Sequence, residues 1–174
     1  CRSHLGLAMT EAWERLWAPH RIEYIKAGAA PHVDDCPFCR LPQGDDVEGH
    51  IVHRGETSYV VLNLYPYNTG HVLVCPHRHF ADYTDATDAE VAEIAHLTQT
   101  AMRVIREVSG AHGFNIGMNQ GSLAGAGIAG HLHQHVVPRW SGDANFMPVV
   151  GSTKVMPQLL SETRQLFANA WPDA

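Results

Sequence analysis

The chain has 174 residues, 45% of them hydrophobic and 17% charged, and a formal net charge of −6. That is enough chain for one globular domain with a sizeable core, and the acidic balance argues against non-specific nucleic-acid binding through a basic face. No apolar run approaches the roughly 20 residues of a membrane span, no basic end followed by a long apolar core marks a secretory signal, and four cysteines in such a chain suit a reducing cytoplasm better than a disulfide scaffold.

Residues 1–9 are expected to be a non-native or disordered leader, with Met9 as a start, and residues 10–174 a single domain. Thr10 to Trp17 reads as a short helix, with Thr10 placed to cap it and Trp13, Leu16 and Trp17 on one face. Pro19 ends it, and Arg21 to Ile25 resumes as a further turn. Cys36-Pro37-Phe38-Cys39 is a C-x-x-C with two readings, a redox pair or half a zinc site. A redox motif should open a helix after a strand, and Arg40 to Gly44 is a poor helix start. A tetrahedral zinc site needs two more ligands, for which His77, His79 and His131 are candidates.

Asp45 to Gly49 reads as a solvated acidic turn. His50–Arg54 and Ser58–Asn63 follow as antiparallel strands joined at Gly55-Glu56, and His71–Cys75 as a third strand, apolar on both faces, with Cys75 a core thiol. Thr87 to Ser109 carries the plainest helical pattern. Thr87 and Glu90 are spaced as a capping box, Gly110 terminates the helix, and Val91, Ile94, Ala95, Leu97, Thr98, Ala101, Met102, Ile105 and Val108 form its apolar side. Its acids and arginines read as a solvated face. Phe114–Asn119 alternates as a strand, and a glycine-rich loop runs from Gly121 to Gly130. Pro157 to Ala170 reads as a C-terminal helix packing through Leu159, Leu160, Thr163, Leu166 and Phe167. The sum is an α+β fold: an antiparallel sheet, one long helix, and N- and C-terminal helices.

After the glycine loop comes His131-Leu132-His133-Gln134-His135-Val136-Val137. In an extended chain, side chains at i, i+2 and i+4 emerge on one face, so the three histidines form a row. A metal-affinity tract would be consecutive and terminal, whereas this row is internal and follows a loop suited to presenting backbone N–H groups to an anion.

This stretch resembles the signature of the histidine triad family of nucleotide hydrolases and transferases. Asn63 to Val74 is similar to the family's nucleoside-binding strand, turn and strand, and Met118 to Ser122 with Ala124-Gly125 to its phosphate-side loop. The resemblance spans about residues 36–140. It implies a histidine-triad-like sheet, with two protomers (or more) joining to continue it, and a nucleotide as substrate. It implies His133 as a nucleophile that becomes nucleotidylated, His135 as the contact to the α-phosphate or bridging oxygen that helps protonate the leaving group, and His131 as an orienting group or ligand. It implies Asn63 at the ribose hydroxyls, Phe38 and Leu64 (with Leu62) around the base, and Asn119, Gly121, Ser122 and Gly127 on the phosphate side. Zinc-bearing members resemble this chain at Cys36, Cys39, His79 and His131, implying a structural zinc.

Many family members carry Gln shortly before the triad; here Ala124 to Gly130 holds no such amide. The loop is similar to that of the prokaryotic branch that includes diadenosine tetraphosphate phosphorylases, which implies inorganic phosphate as co-substrate, with Arg139 a further candidate to hold it or else a partner for a surface carboxylate. Hydrolysis of dinucleoside polyphosphates or nucleoside phosphoramidates is the competing expectation, and a zinc-stabilised nucleotide-binding adaptor a third.

Overall fold

The computed structural model describes residues 35–143 and 158–172; the expected N-terminal helix lies outside them. Five strands, β1 (Ile51–Arg54), β2 (Ser58–Leu62), β3 (Val72–Pro76), β4 (Gly113–Met118) and β5 (Gln134–Arg139), form one antiparallel sheet in the order β1-β2-β3-β5-β4. Among the described residues three α-helices accompany it: α1 (Pro37–Arg40), α2 (Asp88–Ser109) and α3 (Leu160–Asn169). Among the described residues no helix is long and apolar enough to cross a membrane.

The central strands β2 and β3 are buried along their whole length, as expected for β3. Their alternation splits the core in two. Val60, Leu62, Val72, Val74 and Val136 face α2, meeting Ile94, Leu97, Ala101 and Ile105. Tyr59, Val61, Leu73 and Cys75 face the other way and pack on Cys36 and Phe38. Burying each large aliphatic side chain contributes roughly 1.5–3 kcal/mol relative to exposure.

Helix α2 begins with the expected capping box. Thr87 Oγ1 accepts from the Glu90 N–H, the Glu90 carboxylate accepts from the Thr87 N–H, and Gly110 closes the helix in the left-handed region at φ 62°. Its buried side differs from the expected one: Ala95 is exposed, while Glu90, Thr100 and Val104 are buried. Asp88 and Glu107 are solvated as expected, but Glu90 and Glu93 are not. Glu90 pairs with Arg78 at 2.8 Å, and Glu93 accepts from the N–H groups of Glu56 and Thr57 at 2.7 and 2.6 Å, bracing the β1–β2 turn. Gly55 in that turn has no room for a side chain, since a Cβ would lie 2.5 Å from the Glu93 carboxylate and 2.9 Å from the Ser58 carbonyl.

Two other expectations change. Regular pairing of the triad segment starts at Gln134, not at His131. Upstream, the Leu132 N–H donates to Phe80 O and the His131 ring to Pro76 O, so a loop carbonyl and a side chain replace the ladder. The alternation survives: Leu132 joins the α2-side core and the histidines point away from it. Helix α3 is shorter than Pro157–Ala170 and buries only Thr163 and Phe167, one turn apart, whereas Leu159 and Leu166 are exposed.

Candidate active site and metal cluster

Cys36, Cys39, His79 and His131 converge, with one ligand atom from each lying within 4.8 Å of all the others. Cys36 Sγ and Cys39 Sγ each lie 3.4 Å from His131 Nδ1, and Cys39 Sγ lies 3.2 Å from His79 Nδ1. A tetrahedral zinc ion, with bonds of about 2.3 Å to sulfur and about 2.0 Å to nitrogen, holds sulfur and nitrogen roughly 3.5 Å apart. The C-x-x-C does open a helical turn, contrary to expectation: Cys36 is the N-cap of α1, and its carbonyl accepts from the N–H groups of Cys39 and Arg40. What separates it from a redox pair is the two histidines facing it. His77 is excluded from the set, for it stacks on Tyr59 and points at the Gly55 carbonyl.

The protonation chemistry suits a cation. Burial holds the His131 ring near a pKa of about 4, hence neutral. Its Nε2–H donates to Pro76 O at 2.9 Å, which leaves the Nδ1 lone pair facing the thiols. Burial, with the neighbouring Cys36, pushes the Cys39 thiol up to about 11, so a bound cation is what would turn it into a thiolate ligand.

His133 stands next on the same face. Its Nδ1 donates to the His131 carbonyl at 2.8 Å, so the lone pair sits on Nε2. Burial lowers its pKa, opposed by that hydrogen bond, and the ring is neutral at neutral pH. Phe38 packs on it at 4.9 Å and His135 stands edge-on at 5.0 Å. A buried, neutral, tautomer-fixed imidazole is a competent nucleophile toward phosphorus.

His135 is held by a residue that sequence reasoning left unassigned. His71 is fully buried, and its Nε2 lies 2.9 Å from His135 Nδ1. The available signal was parity: His71, Leu73 and Cys75 alternate onto one face of β3, and Leu73 pairs with His135. Tyr67 was missed as well. Its ring lies 4.8 Å from that of His71 and 5.4 Å from that of His135.

The expected nucleotide contacts separate. Phe38 and Asn119 reach the triad, Asn119 with its amide 3.4 Å from His135 Nε2. Asn63 is partly buried beside His71, where its Oδ1 accepts from the Tyr65 N–H. Leu62 faces α2 instead, because β2 alternates, and Leu64 is 57% exposed in the following turn. Gly121, at φ 76°, precedes the 3-10 turn Ser122–Ala124, and Gly127 lies half-buried beyond it. Arg139 is occupied: it forks onto Asp143 at 2.7 and 3.0 Å and donates to Asn115.

The HIT domain model matches residues 45–142. The chain is 47% identical over 175 residues to a protein of Mycobacterium tuberculosis named AP-4-A phosphorylase, covering 95% of this chain and 88% of that one. Among solved structures, a Zn-bound histidine triad family protein from Mycobacterium smegmatis superposes with a TM-score of 0.63 at 29% identity, covering 80% of this chain and 95% of that one. A hypothetical histidine triad nucleotide-binding protein from Sulfolobus tokodaii gives a TM-score of 0.63 at 27% identity, covering 78% and 91%.

Proposed function

The chain belongs to the histidine triad (HIT) family, and from that premise we propose that it cleaves dinucleoside polyphosphates by transferring a nucleotidyl group to inorganic phosphate. The observation that carries this reading is the buried His133, whose Nδ1–H is bound to the His131 carbonyl and whose lone pair is therefore on Nε2. In the first step Nε2 bonds to the α-phosphorus of diadenosine tetraphosphate, and the bond from that phosphorus to the bridging oxygen breaks, releasing ATP. In the second step a phosphate oxygen bonds to the same phosphorus, the P–N bond breaks, and ADP leaves with His133 restored.

Phosphate as acceptor is supported by the Gln-free loop Ala124–Gly130 and by the relative named AP-4-A phosphorylase. Arg139 is not part of this reading, being paired with Asp143. Asn119, Gly121, Ser122 and Gly127 are assigned to the phosphates, Asn63 to the ribose, and Phe38 with Leu64 to the base.

Cys36, Cys39, His79 and His131 would hold a structural zinc ion, which supplies a fixed cross-link and no open coordination position. His131 thereby ties that cross-link to His133 through its carbonyl. The position of β4 at the edge of the sheet among the described residues, with Ile116 47% exposed, supports a homodimer that continues the sheet. Three reduced cysteines among the described residues accord with a cytoplasmic setting.

The test is product analysis with diadenosine tetraphosphate, with and without phosphate. Phosphate should accelerate cleavage and give ADP plus ATP. AMP plus ATP, at a rate indifferent to millimolar phosphate, makes the protein a hydrolase and rejects the phosphorylase reading.

A further inference from the structure

The turn between β2 and β3 does more than reverse the chain. The Tyr67 backbone N–H donates to His71 Nδ1 at 3.0 Å, so that nitrogen carries a lone pair. The His71 proton is then on Nε2, and it donates to His135 Nδ1 at 2.9 Å. His135 Nδ1 is in turn an acceptor, and its proton is on Nε2, the nitrogen that faces the Asn119 amide at 3.4 Å. The amide nitrogen Nδ2 is the atom of Asn119 at that position. Because His135 Nδ1 already accepts from His71, Nε2 must carry the proton, and the amide is therefore assigned the flipped orientation, with Oδ1 as the acceptor. The Tyr67 ring lies at 27° to His135 and 34° to His71, holding both planes in the orientation that the chain of hydrogen bonds requires.

We infer that Tyr67 is a positioning residue that, through His71, locks His135 as a neutral hydrogen-bond donor at Nε2 rather than as a proton-delivering acid. The chain starts on a peptide N–H, which does not surrender its proton and so cannot reload His135. Neither imidazole can take a second proton without breaking the bond that its Nδ1 accepts. On this reading His135 contributes a fixed hydrogen bond at the place where the resemblance implies protonation of the leaving group. A polyphosphate leaves as an anion and needs no proton, and a fixed donor aimed at the developing charge on the bridging oxygen stabilises it without reorganisation. The role at that oxygen rests on the proposed function; the tautomer does not.

The experiment is 15N–1H correlation NMR of the imidazoles in the full-length protein at about pH 8, above the ordinary imidazole range. His71 and His135 should each show a single Nε2–H pattern. Tyr67→Ala should give His135 a mixed pattern and lower kcat about tenfold with KM held within about twofold, the signature of a transition-state contact. Tyr67→Phe should give back the single pattern that Tyr67→Ala loses. If Tyr67→Ala does not fold, Tyr67→Leu, which keeps bulk without an aromatic face, carries the same expectation. An Nδ1–H pattern on His135 in the unaltered protein overturns the lock, and a single Nε2–H pattern that persists when the ring is removed overturns the positioning role of the Tyr67 ring, leaving the tautomer to the peptide N–H alone. A single Nε2–H pattern in a protein that cleaves no dinucleoside polyphosphate upholds the lock and defeats the proposed function.

Discussion

His133 Nδ1 donates to the carbonyl of His131, 2.8 Å away, so one residue faces the two thiols with its ring and fixes the next histidine with its backbone. The Cys₂His₂ cluster and the proposed nucleophile are therefore directly linked, separated by a single residue whose side chain is anchored in the opposite core.

Replacing His133 by Ala should lower turnover by roughly three orders of magnitude or more while leaving nucleotide affinity within severalfold, because the loss is of bond-making and not of binding. Single-turnover rates and equilibrium titration check the two halves separately. Near-normal turnover would remove His133 from the nucleophile's role.

Protein purified without added metal should carry about one zinc per chain, and Cys36→Ser should lower that content together with the thermal midpoint. Chelation should inactivate slowly, since a closed Cys₂His₂ set must open before the ion leaves. Zinc below about a tenth of an equivalent by metal analysis would defeat this.

Glu90 sets a pH dependence of stability. The Arg78 guanidinium, then the Thr87 N–H and hydroxyl, hold its carboxyl near a pKa of about 2, below the ordinary value. A carboxyl lowered by folding contributes stability that is fully present above its unfolded pKa, about 4.3, and is lost as pH falls toward the folded value. Glu90→Gln keeps the side chain of the capping box but not the charge. Its stability deficit should therefore be largest near neutral pH and shrink from about pH 5 downward. Urea midpoints of both proteins at about pH 7 and pH 3 measure it, and a deficit that does not shrink would show that the ion pair is not its source.

Gly70→Ala should destabilise the protein by about 1–3 kcal/mol. Gly70 has φ 70°, and a Cβ there would lie 2.9 Å from the Phe167 ring, forcing α3 away from the turn that positions His71. Chemical denaturation reads the stability loss, and an unchanged midpoint would mean that α3 gives way freely.

Where spacing along the chain is the whole constraint, the sequence was sufficient. The capping box of Thr87 and Glu90, the three sheet-building apolar runs and the alternation that puts His131, His133 and His135 away from Leu132 are local consequences of helical and extended periodicity. The C-x-x-C announced half a zinc site with His77, His79 and His131 as possible partners, and it was the resemblance to zinc-bearing family members that implied His79 and His131, the two that converge with Cys36 and Cys39. Other assignments needed the fold. Arg139 is taken up by Asp143, and Asp143 also accepts from Asn68, a residue 75 positions away. His71 meets His135 across 64 residues because β3 and β5 are paired in one register. A histidine in a strand looks the same in sequence whether it faces solvent, a metal or another histidine. Which hydrogen bonds its two nitrogens make, and hence which of them carries the proton, is decided only when the tertiary structure brings its partners to it.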